Sequence, residues 1–561
     1  MHMRVRRRAG TAAVALTLAL AGCTGSGKSS SSDSTPGRST AQQQNSVETF
    51  VVEATGRDWV VVVEDPARTD RVAKDLAAAD LSITSTNTAV GMVTLRSKDD
   101  DVPDRAGRVD GVGAVVTDRS SGWSPSEEPF VPTPGDTTPA TDLPSSPTPP
   151  PGGDPLDGWL WGMEAIDAVG AHEVTSGRRE VRVGVMDTGV DSTHPDLAPV
   201  LDEGLSRSFV TDMPDIDGPC EVDDCTDPVG TDDAGHGTHV AGTIAAAAND
   251  LGLRGVAPGV TLVDLRAGQD AGLFFLGPTV NALTYAADQQ LDVVNMSFYV
   301  DPWLLACRGG AKGDTPEQAA FQNVMIELMH RTLSLTQERG VTLVTSAGNE
   351  ATDVGAAGKD TTSPNYGGPA RTRTVSPQQC ERLPLDGKDV IAVASVDEGG
   401  ARSTFSNWTS DPERGQIDIA APGGSESDGR GGILSAASRN LMTAEGFIDA
   451  EGRVTASGVE HLVRSCPEGI GDTDPDPDAR CGLYLWNQGT SMASPHVAGV
   501  AALVISAEGQ RMDPKDVAKR LARSATDQPC PADEGRVRCV GTSERNGIFG
   551  EGIVDAAAAV R

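Results

Sequence analysis

Apolar positions follow two rhythms along this chain, and the rhythm changes at a proline-rich divide. Before the divide, Phe50–Glu53, Trp59–Val63, Val90–Leu95 and Val112–Thr117 read as short strands, and Arg68–Asp80 has helical spacing with Val72, Leu76 and Ala79 on one face. Residues 48–119 therefore predict a small α+β unit. Residues 120–156 are rich in Pro, Ser, Thr and Asp, including the run Pro-Ser-Ser-Pro-Thr-Pro-Pro-Pro-Gly-Gly, and read as a linker that forms no packed core. Beyond it, Val181–Met186, Thr261–Leu265, Leu291–Ser297, Val341–Thr345, Val390–Val396 and Gln416–Ala420 are strand-like, with helical stretches at Thr279–Asp288 and Glu317–Glu338. Repeated βα units predict an α/β fold over 157–561: a mostly parallel twisted sheet with helices on both faces. Two small-residue helices begin at glycine turns, one at Gly235-His236 and one at Gly489-Thr490-Ser491. The second is apolar almost all round from Val497 to Ile505, which predicts burial, and Pro495 is expected in its first turn.

Charge and the amino terminus narrow the setting. Across 561 residues, 46 Lys and Arg face 80 Asp and Glu, a formal net charge of −34. Such a balance argues against nucleic acid or an anionic membrane surface as partner. The start carries Arg4, Arg6, Arg7 and Arg8, then an apolar run from Ala9 to Ala21 too short to span a bilayer, so residues 1–22 read as a signal peptide. Leu20-Ala-Gly-Cys23 resembles the bacterial lipoprotein box, in which the cysteine is lipidated; cleavage after Ala21 is the competing reading and would give a secreted form. The expected location is extracytoplasmic, with membrane attachment by the lipid alone. Residues 23–47 are Ser-, Gly-, Thr- and Gln-rich and read as a flexible tether.

Setting Cys23 aside leaves eight of the nine cysteines, an even number in a chain bound for an oxidising compartment. Cys220 with Cys225, Cys466 with Cys481 and Cys530 with Cys539 are near neighbours, which leaves Cys307 with Cys380. This pairing is one of about 105 connectivities. No Cys-x-x-Cys pair with clustered ligands points to zinc.

Three residues stand where chemistry gathers. Asp187 ends a largely apolar strand, and in open parallel sheets functional groups collect at carboxyl ends. By itself an Asp-Thr-Gly is as well explained by a turn. Aspartic proteases use the same tripeptide twice, and no second Asp-Ser/Thr-Gly follows here. His236 opens a helix; His239, three residues on, could share its face, but no further ligand follows at metal spacing. Ser491 lies at a helix start, against free N–H groups that either accept a cap or stabilise an anion.

In the order Asp187, His236, Ser491, the chain resembles the subtilisin-like serine proteases (subtilases). Three blocks carry the resemblance: Val-Met-Asp-Thr-Gly-Val-Asp-Ser-Thr-His-Pro-Asp-Leu, His-Gly-Thr-His-Val-Ala-Gly-Thr and Gly-Thr-Ser-Met-Ala-Ser-Pro-His-Val-Ala-Gly; Ala-Gly-Asn-Glu lies between the last two. The resemblance implies a serine endopeptidase acting on protein or peptide substrates. Ser491 would be its nucleophile, His236 its base and then acid, and Asp187 the group that orients the imidazole. Asn349 and the Ser491 N–H would form the oxyanion hole. Ser297, Tyr299 and Gly348 would line the substrate cleft, where Phe298-Tyr299-Val300 replaces the family's usual Leu and small residues. Asp196 and Asn249 match side-chain ligands of the family's strong calcium site; no cofactor is required for the chemistry. The unit at 48–119 resembles the family's inhibitory propeptide, which makes the chain a zymogen with its own intramolecular inhibitor. A monomer is expected. Glu350–Asp389 and Gly423–Trp486 are long for the family and are expected beside the cleft. The competing function classes are a non-catalytic subtilase-like binding module at the cell surface and an ester hydrolase using the same triad.

Overall fold

The computed structural model describes residues 45–49, 56–118, 148–214, 216–365, 372–425, 431–467, 469–470, 480–531 and 537–561. The signal peptide, Cys23, most of the tether, the strand expected at Phe50–Glu53, the linker up to 147 and the acidic run Asp472–Asp478 lie outside them.

The front unit is a five-stranded antiparallel sheet of β1 (Val47–Thr49), β2 (Arg57–Val63), β3 (Ser82–Asn87), β4 (Met92–Ser97) and β5 (Val112–Thr117), in the order β1-β3-β4-β2-β5. Its helices are α1 (Thr69–Ala78) and α2 (Val102–Ala106). Successive residues of β2 point to opposite faces. Trp59, Val61 and Val63 pack with Val72 and Leu76 of α1, whereas Val60 and Val62 join the core of the body. Both faces are covered, which explains an apolar run without alternation. β3 escapes sequence reading because its side chains are mostly hydroxyls that bond to one another: Thr84 Oγ1 and Ser85 Oγ each lie 2.6 Å from Thr94 Oγ1.

The body centres on seven parallel strands: β6 (Arg182–Met186), β7 (Arg207–Ser208), β8 (Thr261–Arg266), β9 (Val293–Met296), β10 (Thr342–Ser346), β11 (Ile391–Val396) and β12 (Ile419–Pro422). Their order is β12-β11-β10-β9-β6-β8-β7, so the chain reverses direction across the sheet at β6. One face, through Val183, Val185, Val344 and Val393, packs on α3 (His236–Ala245) and α6 (Thr490–Glu508). The other, through Met186, Val263, Val294 and Leu343, packs on α4 (Leu276–Asp288) and α5 (Pro316–Glu338). α6 is long and apolar enough to cross a bilayer, but it is buried in this core.

The front unit docks on α4 and α5. Asn87 Nδ2 donates to Asn281 Oδ1 (3.1 Å) and Thr284 Oγ1 (2.9 Å). Asp118, at the end of β5, accepts from the N–H groups of Leu276 (3.1 Å) and Gly277 (2.8 Å), which satisfies two of the free donors that open α4.

Two boundaries differ from expectation. β1 already starts at Val47, inside the expected tether. The linker ends near 150 rather than 156: Leu156 is buried and its N–H donates to Gly252 O (2.7 Å), while Asp154 accepts from Asp250 N (2.9 Å). The partners of this segment lie about a hundred residues away, beyond the reach of composition.

The four disulfides join Cys220–Cys225, Cys307–Cys380, Cys466–Cys481 and Cys530–Cys539, the expected pairing. The two long stretches take different places. The first is clasped by Arg373, buried against Asp360 (2.8 Å), Asp314 (3.1 Å) and the Trp303 ring (4.6 Å to its centroid), and its Asn365, Arg382 and Leu385 reach the cleft. No described residue of the second lines that cavity, contrary to expectation. It forms an antiparallel sheet behind α3, where Ser435 Oγ donates to His239 O (2.7 Å) and Arg439 N to Asp191 Oδ2 (3.0 Å).

Candidate active site

Asp187 follows β6 directly and is fully buried. Its Oδ1 accepts from Thr188 N (2.8 Å) and lies 2.7 Å from His236 Nδ1. That approach brings the first turn of α3 onto the turn after β6. Gly237 permits it: a Cβ there would sit 2.1 Å from Gly189 O. Burial lowers the proton affinity of His236, but the charge and hydrogen bond of Asp187, helped by Asp232, outweigh it, so the imidazole pKa is raised above its ordinary value.

Asp232, which the sequence reading passed over, fixes the start of α3. Its carboxylate accepts from Thr188 Oγ1, Gly235 N, Thr238 N (each 2.8 Å) and Thr238 Oγ1 (2.6 Å). The signal was an Asp a few residues ahead of a helix that lacks a side-chain cap of its own.

Ser491 occupies the first turn of α6, where its N–H has no intrahelical acceptor. Its Oγ donates to Ser297 O (3.1 Å), just past β9. Pro495 lies in the second turn of α6, not the first as expected. A proline there removes the N–H that would bond the carbonyl four residues back, which is Ser491 O. Ser297 Oγ replaces it, donating to Ser491 O at 3.1 Å while lying 2.7 Å from Ser494 Oγ and accepting from Asn295 Nδ2 (2.8 Å).

Asn349 stands beyond the end of β10. Its Oδ1 accepts from Thr490 N and Thr490 Oγ1, both 2.8 Å, which turns the amide nitrogen away from the helix. That nitrogen has no protein acceptor among the described residues. Gly489, at φ 147°, leaves the space before it open; a Cβ would come within 3.4 Å of Asn349 Nδ2.

His236, Ser491, Asn349, Ser297, Tyr299 and Gly348 all line one cleft of about 230 Å³. Phe298 stacks on Phe274 with centroids 4.0 Å apart, and the Tyr299 hydroxyl accepts from Asn365 Nδ2 (3.2 Å). The Tyr299 ring is thus tethered to the first long stretch, and burial raises its pKa well above the ordinary phenol value. His239 stands apart: it is buried, its Nε2 lies 3.0 Å from Ile433 O, and burial lowers its pKa to about 3. It is a neutral packing residue.

Asp196 and Asn249 do meet, at 3.2 Å, but through the amide nitrogen of Asn249. The other oxygen of Asp196 accepts from Tyr484 Oη (2.8 Å) and Leu253 N (3.2 Å), and Asn249 Oδ1 from Leu251 N (3.0 Å). Protein donors meet both side chains in this arrangement.

This architecture is that of the subtilisin-like serine proteases. The structure of the epidermin leader peptide processing serine protease from Staphylococcus aureus matches with a TM-score of 0.59 over 90% of this chain and 97% of that one, at 17% identity. Fervidolysin, a keratinolytic enzyme from Fervidobacterium pennivorans, matches with a TM-score of 0.52 over 90% of this chain and 61% of that one, at 22% identity. In sequence, fervidolysin is 27% identical over 67% of this chain but only 41% of its own length, and subtilisin DY of Bacillus licheniformis is 28% identical over 62% of this chain and 84% of its own. The subtilase family model matches residues 178–550, and the chain belongs to that family. It is a subtilase-family serine protease, whose class acts on peptide substrates.

Proposed function

We propose that this protein is an endopeptidase made as a zymogen, with Asp187, His236 and Ser491 as its catalytic triad. The 2.7 Å contact between Asp187 Oδ1 and His236 Nδ1, with His236 lining the same cleft as Ser491, carries this reading. A bond from Nδ1–H to Asp187 leaves Nε2 as the base. His236 takes the Ser491 proton as Oγ attacks the carbonyl carbon of the substrate, and returns it to the leaving amine when the peptide C–N bond breaks. Water then attacks the acyl-enzyme by the same route. The Ser491 N–H and the open amide of Asn349 face the space where negative charge develops on the carbonyl oxygen.

The front unit is the intramolecular inhibitor. Its support is the shared apolar core with α4 and α5 and the placement of Asp118 beside Leu276, two residues from Phe274 of the cleft wall. The chain leaving β5 therefore starts near the cleft, and maturation cuts between 120 and 156. Export by the signal peptide and a lipid on Cys23 hold the enzyme at the outer face of the membrane.

Intact mass and amino-terminal identity of wild type and Ser491→Ala, produced side by side, test the reading. The expected result is loss of the front unit in wild type only. Cutting at the same bond in both proteins overturns self-processing. A wild type that stays full length while cleaving peptides freely overturns the zymogen.

A further inference from the structure

The loop between β7 and α3 and the turn after β8 bring together more carboxylates than Arg266 balances. Arg266, at the end of β8, pairs with Asp227 (2.8 Å) and with Asp270 Oδ1, and lies 3.8 Å from Asp233. Asp212 has no such partner. It is only 1% exposed, and neither of its carboxylate oxygens meets a hydrogen-bond donor among the described residues. A buried carboxylate without donors is strongly disfavoured. Burial, with Asp227 and Asp217 adding to it, pushes the carboxyl up to about 7.

The orphaned group is aimed at other acids. One oxygen each from Asp212, Glu221 and Asp270 lie within 4.8 Å of one another. A set of carboxylates on a loop suits calcium, which accepts several carboxylates in flexible geometry, better than magnesium, which demands a near-ideal octahedron and keeps most of its waters.

Arg266 takes one oxygen of Asp270, and the surroundings hold the loop in place while leaving both oxygens of Asp212 without donors among the described residues. The Cys220–Cys225 disulfide closes the turn that carries Glu221, and Asp212 N donates to Cys225 O (2.7 Å). Met213 and Ile216 pack on Phe275, and Asp217 Oδ1 accepts from Ala271 N (3.1 Å). The geometry points to a calcium site formed by Asp212, Glu221 and Asp270, which pins the loop ahead of His236 to the turn that carries Leu273 and Phe274 of the cleft wall. This site is separate from the Asp196–Asn249 pair and does not depend on the catalytic assignment.

Calcium titration by calorimetry of the full chain, stripped with EGTA and carrying Ser491→Ala to prevent self-digestion, tests the site. Thermal unfolding with and without calcium runs in parallel. The expected result is saturable calcium binding and a raised Tm in the parent. Asp212→Asn should abolish one class of sites, and Glu221→Gln should weaken it at least tenfold. Glu221 is exposed, so its variant reports even where Asp212→Asn fails to fold. Unchanged stoichiometry and affinity in Glu221→Gln, or no binding and no Tm shift in the parent, overturns the site. Magnesium binding as tightly as calcium overturns the choice of ion.

Discussion

On the wall of the cleft that carries Asp187 and His236, the contacts are ionic and buried: a carboxylate 2.7 Å from an imidazole, with Asp232 behind it. On the wall that carries Ser491 and Asn349, they are neutral: hydroxyls, amides and main-chain carbonyls joined through Ser297, Ser494 and Thr490. The long stretches follow the same division. The second buttresses α3 from behind, whereas the first enters the cleft through Asn365 and Arg382. The contacts that hold His236 should therefore respond to pH and to charge, and those that hold Ser491 and Asn349 chiefly to geometry.

Asp187→Asn is the most direct way to break the comparison. It keeps the shape but removes the charge that raises the His236 pKa. Loss of the oriented, charge-supported base should lower kcat about 10⁴-fold. In wild type, the base works only when neutral, so kcat/KM should rise with pH through a limb above the ordinary histidine value of about 6.5. In the variant that limb should move down. A pH–rate profile with the same limb in both proteins would show that Asp187 does not set the base.

Asn349→Ala probes the neutral wall. Deleting one oxyanion donor should lower kcat about 10²–10³-fold, leave KM within a few fold and leave the acid limb in place. Steady-state kinetics across pH checks both parts. A shifted limb would mean that the two walls are electrostatically coupled after all.

The two walls also differ in how well the sequence revealed them. Asp187, His236, Ser491 and Asn349 were legible because each sits in a contiguous motif at the end of a strand or the start of a helix. The parallel sheet was legible from its continuous apolar strands. Asp232 and the Asp212 cluster were not, because their meaning depends on partners: Asp232 finds four donors, and Asp212 finds none among the described residues. Asp196 makes the same point from the other side. Its motif suggested calcium and gave no hint that Tyr484, nearly three hundred residues away, donates to the carboxylate. Burial and satisfaction of a polar group are tertiary facts, and local pattern does not encode them.

Ser297→Ala asks for the smallest effect and sharpens the comparison most. The Ser491 Oγ bonds to the main-chain oxygen of Ser297, which the substitution keeps. What disappears is the hydroxyl that fills the gap left by Pro495 at Ser491 O. A buried carbonyl stripped of its donor costs about 1–3 kcal/mol; this one is only partly buried, so the low end of that range and a Tm drop of a few degrees are expected. The nucleophile should be misplaced only slightly, so that most of this energy is lost from stability and kcat falls less than about tenfold, or ~1.4 kcal/mol, with KM and the acid limb unchanged. Ser297→Thr restores a hydroxyl and should recover most of kcat. If kcat fell with the stability yet Thr did not rescue it, crowding in the cleft rather than the Ser491 carbonyl would be the reason, and Ser297 would be a cleft wall and not a positioning residue.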